Sequence, residues 1–293
     1  MKDASLATLK KAAKALSERY RNSDTPYLRS EEDRKAYLIT RLPATESVLA
    51  RVFQEVSNIT IESYLDIGSG PGSSWYPAKQ QFPQLKSAEF IEIDREFVRL
   101  GKERLKLEPI VWKNEPAGQG ETFSSHDLVV FSYSWGEILS LSVLEKALES
   151  AKECLIIIEP GTPKGFRAIL KAREALLQQG AHILAPCPHK NACPLKGDPG
   201  SWCHFGVRLE RSWEHQWMKD ASLGYEDEKY SYLIVSKKPR TASQPRLLKN
   251  PLKLKGHLKL TLCTDEGIKT EVITKSENAL FKRAGKLEWG DTL

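Results

Sequence analysis

A chain of 293 residues, 40% hydrophobic and 28% charged, has the composition of an ordinary soluble globular protein and is long enough for one large domain with additions or two small ones. Its formal net charge of +6 is a modest bias toward anionic partners. No apolar run approaches the length needed to cross a bilayer, and the opening MKDASLATLKKAAKAL has neither a signal-peptide core nor an Arg-rich transit pattern. The expected protein is a cytoplasmic monomer off the membrane, with reduced thiols.

Residues 1–60 are expected to form a helical cap. Leu6, Leu9, Ala13 and Leu16 recur at helical spacing, and Pro26 interrupts the pattern. Ser30 followed by Glu31, Glu32 and Asp33 is a helix start with acids in its first turn. Thr45 to Val56 carries Val48, Leu49, Val52, Phe53 and Val56 on one face. Residues 61–239 alternate strands and helices, which implies a parallel sheet. The strands are read at Tyr64–Ile67, Phe90–Ile93, Ile110–Trp112, Asp127–Ser132 and Cys154–Glu159. Helices are read at Leu141–Glu153 and Pro163–Gln179, the latter stopped by Gly180. Short strands are expected at Ala181–Leu184 and Val207–Leu209. Tyr230–Val235 is read as a terminal antiparallel strand after an acidic turn, Glu226-Asp227-Glu228. Residues 240–293 change character. Between Lys237 and Lys259 stand eight Lys or Arg and no acid, with Pro239, Pro245 and Pro251 marking a linker. Leu258–Cys263 and Lys269–Thr274 flank Asp265-Glu266-Gly267 as a hairpin, and Ser276 is expected to cap a last helix, Glu277–Lys286.

The stretch that organises the core is Ser63 to Gly72, SYLDIGSGPG. A strand holding Asp66 runs into glycines at 68, 70 and 72. Gly68 permits a tight turn, Gly70 lets a ligand approach the backbone, and Gly72 opens the next helix. Asp94 follows about twenty residues later, where such folds place a carboxylate on a ribose hydroxyl pair. The spacing D-x-G-x-G-x-G is not the G-x-G-x-x-G of NAD enzymes. It resembles that of doubly wound methyltransferases dependent on S-adenosyl-L-methionine.

A second constellation lies in the loop 185–205, where Cys187, Cys193 and Cys203 are crowded by Pro, Gly and His. Such a loop has little regular structure to hold it, and clustered cysteines in a reducing compartment favour metal or redox chemistry. The spacing matches neither zinc ribbons nor ferredoxins. The fourth ligand is open among Cys263, His189 and His204. Four thiolates would suit an iron-sulfur cluster, and three with a His would suit zinc. Cys154, in an apolar strand, is read as a core residue.

Several blocks resemble a known family: Arg41-Leu42-Pro43-Ala44-Thr45; Glu159-Pro160-Gly161-Thr162-Pro163 with Gly165-Phe166; Ala185-Pro186-Cys187-Pro188-His189; Cys193-Pro194-Leu195; and Trp202-Cys203-His204-Phe205. Arg211-Ser212, Tyr225-Glu226-Asp227-Glu228-Lys229 and Trp289-Gly290-Asp291 also fit. Together they resemble the ribosomal small-subunit methyltransferase-like family, whose mitochondrial members are small-subunit assembly factors. The resemblance implies a Rossmann-like (class I) α/β methyltransferase fold and association with small-subunit ribosomal RNA. It implies a 4Fe-4S cluster, with Cys187, Cys193, Cys203 and Cys263 as ligands.

The cofactor set is thus Asp66, Gly68, Gly70, Gly72 and Asp94. Support for turnover is thinner. Amino-methylating enzymes carry an Asn- or Asp-Pro-Pro-aromatic motif after strand four, where this chain reads Ser132-Tyr133-Ser134-Trp135-Gly136-Glu137. Two functions stay open: a methyltransferase acting on small-subunit ribosomal RNA, and a non-catalytic assembly factor that holds RNA with the same fold.

Overall fold

The computed structural model describes residues 5–22, 25–120, 122–198, 200–239 and 244–293. Asp3 of the opening segment and Arg240 of the basic stretch lie outside the described residues. In chain order the elements are α1 (Leu6–Asn22), α2 (Glu31–Thr40), α3 (Leu42–Phe53), β1 (Ser63–Ile67), α4 (Trp75–Gln81), β2 (Ser87–Ile91), α5 (Arg95–Arg104), β3 (Ile110–Lys113) and β4 (His126–Ser132). Then come α6 (Trp135–Ile138), α7 (Leu141–Ser150), β5 (Ala151–Pro160), α8 (Pro163–Gln178), β6 (His182–Ala185), β7 (Phe205–Glu210), α9 (Trp213–Met218) and β8 (Tyr225–Ser236). The chain finishes with β9 (Arg246–Leu247), β10 (Leu252–Leu254), β11 (His257–Thr264), β12 (Gly267–Thr274) and α10 (Asn278–Ala284).

Contacts divide the chain into two compact units. The first comprises Met1–Gln54, Ser73–Gln81 and Val207–Glu228. Its helices form for local reasons. Ser30 caps α2 through a capping box closed by Asp33, and Pro43 sits in the first turn of α3, where a missing N–H costs nothing. The apolar stripe of α1 buries Leu9 and Ala13 with Ala36 and Met218. The acids Glu226, Asp227 and Glu228, expected as a turn, instead begin β8. Each is neutralised: Glu226 by Arg211 and Lys219, Asp227 by Arg208, Glu228 by Arg41. Extended backbone therefore carries no uncompensated run of charge.

The second unit comprises Glu55–Gly72, Phe82–Gly206 and Lys229–Leu293. The large sheet runs β3-β2-β1-β4-β5-β8-β6, with β7 pairing β8 off this path. Strands β1 to β5 are mutually parallel, and β8 runs antiparallel to both β5 and β6. A parallel sheet in this order, with a reversed strand inserted next to the last, is the Rossmann-like class I methyltransferase sheet. Both faces of its centre are covered, so β4 and β5 read as near-continuous apolar runs. Leu65, Ile67, Val129, Phe131, Leu155 and Ile157 pack there with Leu144, Ala147 and Ala172 from α7 and α8.

The tail is more structured than a linker with a hairpin. Strands β10, β11 and β12 form an antiparallel sheet, and β9 pairs with β11. Leu247, Leu258, Leu260, Leu262, Ile273 and Ala284 make its core. The last helix is preceded by a capping box of Thr274 and Glu277, not by Ser276. Among the described residues, no helix is long and apolar enough to cross a membrane.

Candidate functional site

The glycine loop leaves the carboxyl end of β1, where Asp66 is buried. Gly68, Gly70 and Gly72 all have positive φ, at 75°, 55° and 77°. Each serves a different need. A Cβ on Gly68 would stand 2.4 Å from Cβ of Ser134, and one on Gly72 would meet Leu105 at 2.7 Å. Around Gly70 the space is open, so its backbone is the part of the loop that a ligand can approach. The amides of Gly68 and Ser69 both donate to the Ile91 carbonyl, tying the loop to the end of β2.

The acid that faces this loop is Glu92. Strand β2 stops at Ile91, two residues short of the expected end, and Ile93 turns out to solvent at 68% exposure. Glu92 turns inward. One carboxylate oxygen accepts from the Gly70 amide at 2.7 Å and the other from the Asp94 amide at 2.8 Å. Burial raises its pKa above the usual carboxylate range. Asp94 is occupied elsewhere. As the N-cap of α5, its carboxylate accepts from the amides of Glu96 and Phe97 at 2.9 and 3.0 Å. The sequence contained the signal: an Asp directly before a helix is a preferred cap, which leaves the preceding acid for the loop. Asn114, after β3, donates to the carbonyls of Glu92 and Ile93 and steadies the turn.

Two more carboxyls lie after β4 and at the end of β5. Glu159 is buried and accepts from the Gly136 amide at 2.7 Å; burial pushes its pKa up to about 8. The Glu137 pKa is raised by burial and then by the charge of Glu92. Tyr133, whose amide donates to the Ile158 carbonyl, holds a φ of 60°, a strained backbone for a non-glycine residue. Trp135 is fully buried and donates from its indole to the Ala168 carbonyl.

The second constellation is a cavity of ≈ 40 Å³. Cys187, Cys193, Cys203 and Cys263 all line it, with His189 and Arg173. Cys263 comes from β11 and the other three from the loop between β6 and β7. His189 Nε2 stands 3.7 Å from the Cys263 sulfur. Burial raises the pKa of Cys187, and raises that of Cys263 to about 12, aided by the neighbouring thiols. Arg173 pulls both the other way. Among the described residues, no three His, Cys, Asp or Glu side chains form a group arranged to hold a metal ion. His204 stacks on Trp202 and lies outside the cavity, and Cys154 is buried in β5.

The family described as mitochondrial small ribosomal subunit Rsm22 matches residues 31–293 of this sequence. The chain belongs to that family. Similar proteins include the mitochondrial Rsm22-cox11 tandem proteins 1 and 2 of Schizosaccharomyces pombe, each 25% identical over 87% of this chain and 42% of their own length. The chain thus spans less than half the length of the curated relatives it matches. Two solved structures are similar at low scores. Precorrin-6y C5,15-methyltransferase from Geobacter metallireducens is 16% identical, with a TM-score of 0.45 over 66% of this chain and 88% of its own. A SAM-dependent methyltransferase from Aquifex aeolicus is 17% identical, with a TM-score of 0.44 over 71% and 99%. The fold assignment rests on the strand order.

The basic stretch of this Rsm22-family chain separates into unlike parts. Arg246 is buried in a two-pronged pair with Glu55, at 2.8 and 2.9 Å. Lys237 donates to the Glu149 carbonyl, and Lys238 pairs with Glu153. Lys249, Lys253, Lys255 and Lys259 are exposed.

Proposed function

We propose that the chain binds S-adenosyl-L-methionine at the glycine loop, holds a thiolate-bound metal centre and acts with or on small-subunit ribosomal RNA. The observation that carries the cofactor reading is the Glu92 carboxylate on the Gly70 amide, at the only loop glycine with open space around it. In this reading Glu92 takes the ribose hydroxyls in place of Asp94, as two acceptor oxygens beside a nucleotide-type loop suit a diol. The bound cofactor would supply an activated methyl group. The chain's own residues would place it: Gly68, Gly70 and Gly72 shape the loop, and Asp66 supports it from the end of β1. Glu137, with its raised pKa, is the candidate proton acceptor.

The four thiols fit a metal by chemistry: soft donors from two distant segments meet in one buried cavity. Four thiolates on one tetrahedral zinc must lie within about 4 Å of one another, because Zn–S bonds are ~2.3 Å. A 4Fe-4S cluster takes one thiolate per iron and spreads them wider. In this reading the centre is a cluster, which four thiolates suit, with zinc the alternative. The exposed lysines of the tail would meet phosphates.

The second reading, RNA binding without methyl transfer, is favoured by the absence of the Pro-Pro-aromatic motif after β4. Calorimetry with S-adenosyl-L-methionine on anaerobically prepared protein tests the first step. Binding in the micromolar range is expected, and no binding overturns it. Comparing small-subunit RNA modifications with and without the gene then separates the two readings: a missing methyl group means an enzyme, and an unchanged pattern with impaired subunit assembly means a scaffold.

A further inference from the structure

The cavity is flanked by two buried arginines that differ in one respect. Arg246 is 2% exposed and has a carboxylate, Glu55, on both of its terminal nitrogens. Arg173 is 3% exposed and has no carboxylate partner among the described residues. Its Nη2 donates to two carbonyls of the cysteine loop, those of His189 at 3.0 Å and Asn191 at 2.8 Å. Its Nε is buried and finds no hydrogen-bond partner among the described residues. A guanidinium does not give up its proton, and a buried cation without an anion is costly. The side chain lies on the buried stripe of α8, in line with Phe166 and Ile169, so it is directed inward by the helix itself. The cavity it lines holds four thiols, which become its neighbouring anions when they ligate a metal.

We propose that Arg173 is the counter-charge of the four-cysteine centre and the Nε–H donor to one of its sulfurs, a positioning residue that sets how firmly the metal is held. The proposal rests on the metal reading above. A four-thiolate centre carries net negative charge, which completes the ion pair that Arg173 otherwise lacks. The two loop carbonyls on Nη2 also fix the segment between Cys187 and Cys193. One side chain therefore joins loop shape to ligand charge. Outer partners of this kind are as much part of a metal site as its ligands.

The test uses the full chain purified without oxygen, as wild type, Arg173→Lys, Arg173→Met and Cys203→Ser. Metal content and the rate of metal release to a chelator are measured. Arg173→Met is expected to release metal about tenfold to a hundredfold faster than wild type, with Arg173→Lys between them, since lysine keeps the charge and lacks the fork. Where the metal is iron, the midpoint potential of loaded Arg173→Met should fall, because a lost positive charge disfavours the reduced centre. A residue that merely shaped the loop would leave the potential in place. If Arg173→Met retains metal like wild type, the role of Arg173 is overturned and the centre survives. If Arg173→Met fails to fold, Arg173→Lys decides, and release at the wild-type rate overturns the Nε–H assignment. If wild type holds no more metal than Cys203→Ser, the centre itself is overturned.

Discussion

The two candidate sites have opposite electrostatics. The glycine loop is ringed by carboxyls, from Glu92, Glu137 and Glu159, whose pKa values burial pushes upward. The cysteine cavity is flanked by the cations Arg173 and Arg246. In the first, burial favours the protonated acids, and in the second the guanidinium charges oppose the effect of burial on the thiols. The sites also differ in construction. The first gathers the ends of neighbouring parallel strands of one sheet, and the second needs β11 to meet a loop that precedes β7.

The largest expected effect breaks the second site. Cys203→Ser or Cys263→Ser should abolish metal retention and open residues 244–293 to proteases, because ligation is coupled to folding. Cys154→Ser should do neither, since that side chain packs within β5. Metal analysis and limited proteolysis read both outcomes; a full metal complement in Cys263→Ser would pass the fourth position to His189.

Next comes the acidic side. The Glu159 carboxyl sits at about 8 in the folded chain against an ordinary value of 4.5. The folded state therefore keeps a proton that the unfolded chain releases. This contribution is fully present below pH 4.5 and is lost as pH rises toward 8, by at most about 1.4 kcal/mol per pH unit. Urea midpoints measured between pH 5 and 8 should fall accordingly, and Glu159→Gln should flatten the decline. An identical slope in the variant would remove Glu159 as its source.

A smaller effect sharpens the first site. Glu92→Ala should weaken cofactor binding by about 1.5–3 kcal/mol, the worth of hydrogen bonds to a charged acceptor. Asp94→Ala should leave binding near wild type and instead cost about 0.5–2 kcal/mol of stability as a lost helix cap. Calorimetry and thermal melts on the pair separate the roles, and the reverse outcome would restore Asp94 to the ribose. The smallest effect concerns the tail. Replacing Lys253, Lys255 and Lys259 with Ala should lower the salt slope of RNA binding by about 0.7 for each phosphate that is no longer neutralised, and an unchanged slope would remove these residues from the interface.

The legibility of the two sites in the sequence follows from their construction. The glycine positions were readable because the turn demands positive φ within a few residues of a strand. The inward turn of Glu92 was not readable, because the end of β2 is set by pairing with its neighbours, which residue patterns do not record. Three cysteines were visible as a cluster; Cys263 stood beside His189 and His204 as an open fourth candidate, and the family resemblance singled it out. Arg173 was invisible: in an amphipathic helix an arginine reads as solvated surface, and only the packed cavity shows that it is buried. The start of the tail read as a linker because its lysines and prolines dominate, and the hairpin after it was legible; that Leu258, Leu260 and Leu262 on β11 build a core of their own with Leu247 was not.

The long separation of Cys203 and Cys263, sixty positions in the sequence, has a consequence for the unfolded chain. Joining such distant points removes loop-closure entropy from the denatured ensemble, on the order of 4 kcal/mol by the polymer argument used for cross-links. A metal that bridges them would act as a clip on a loop containing β7, α9, β8, β9 and β10, wherever partly folded chains keep both ends ligated. Supply of the metal would then govern how many newly made chains reach the native state, as well as how long they stay there.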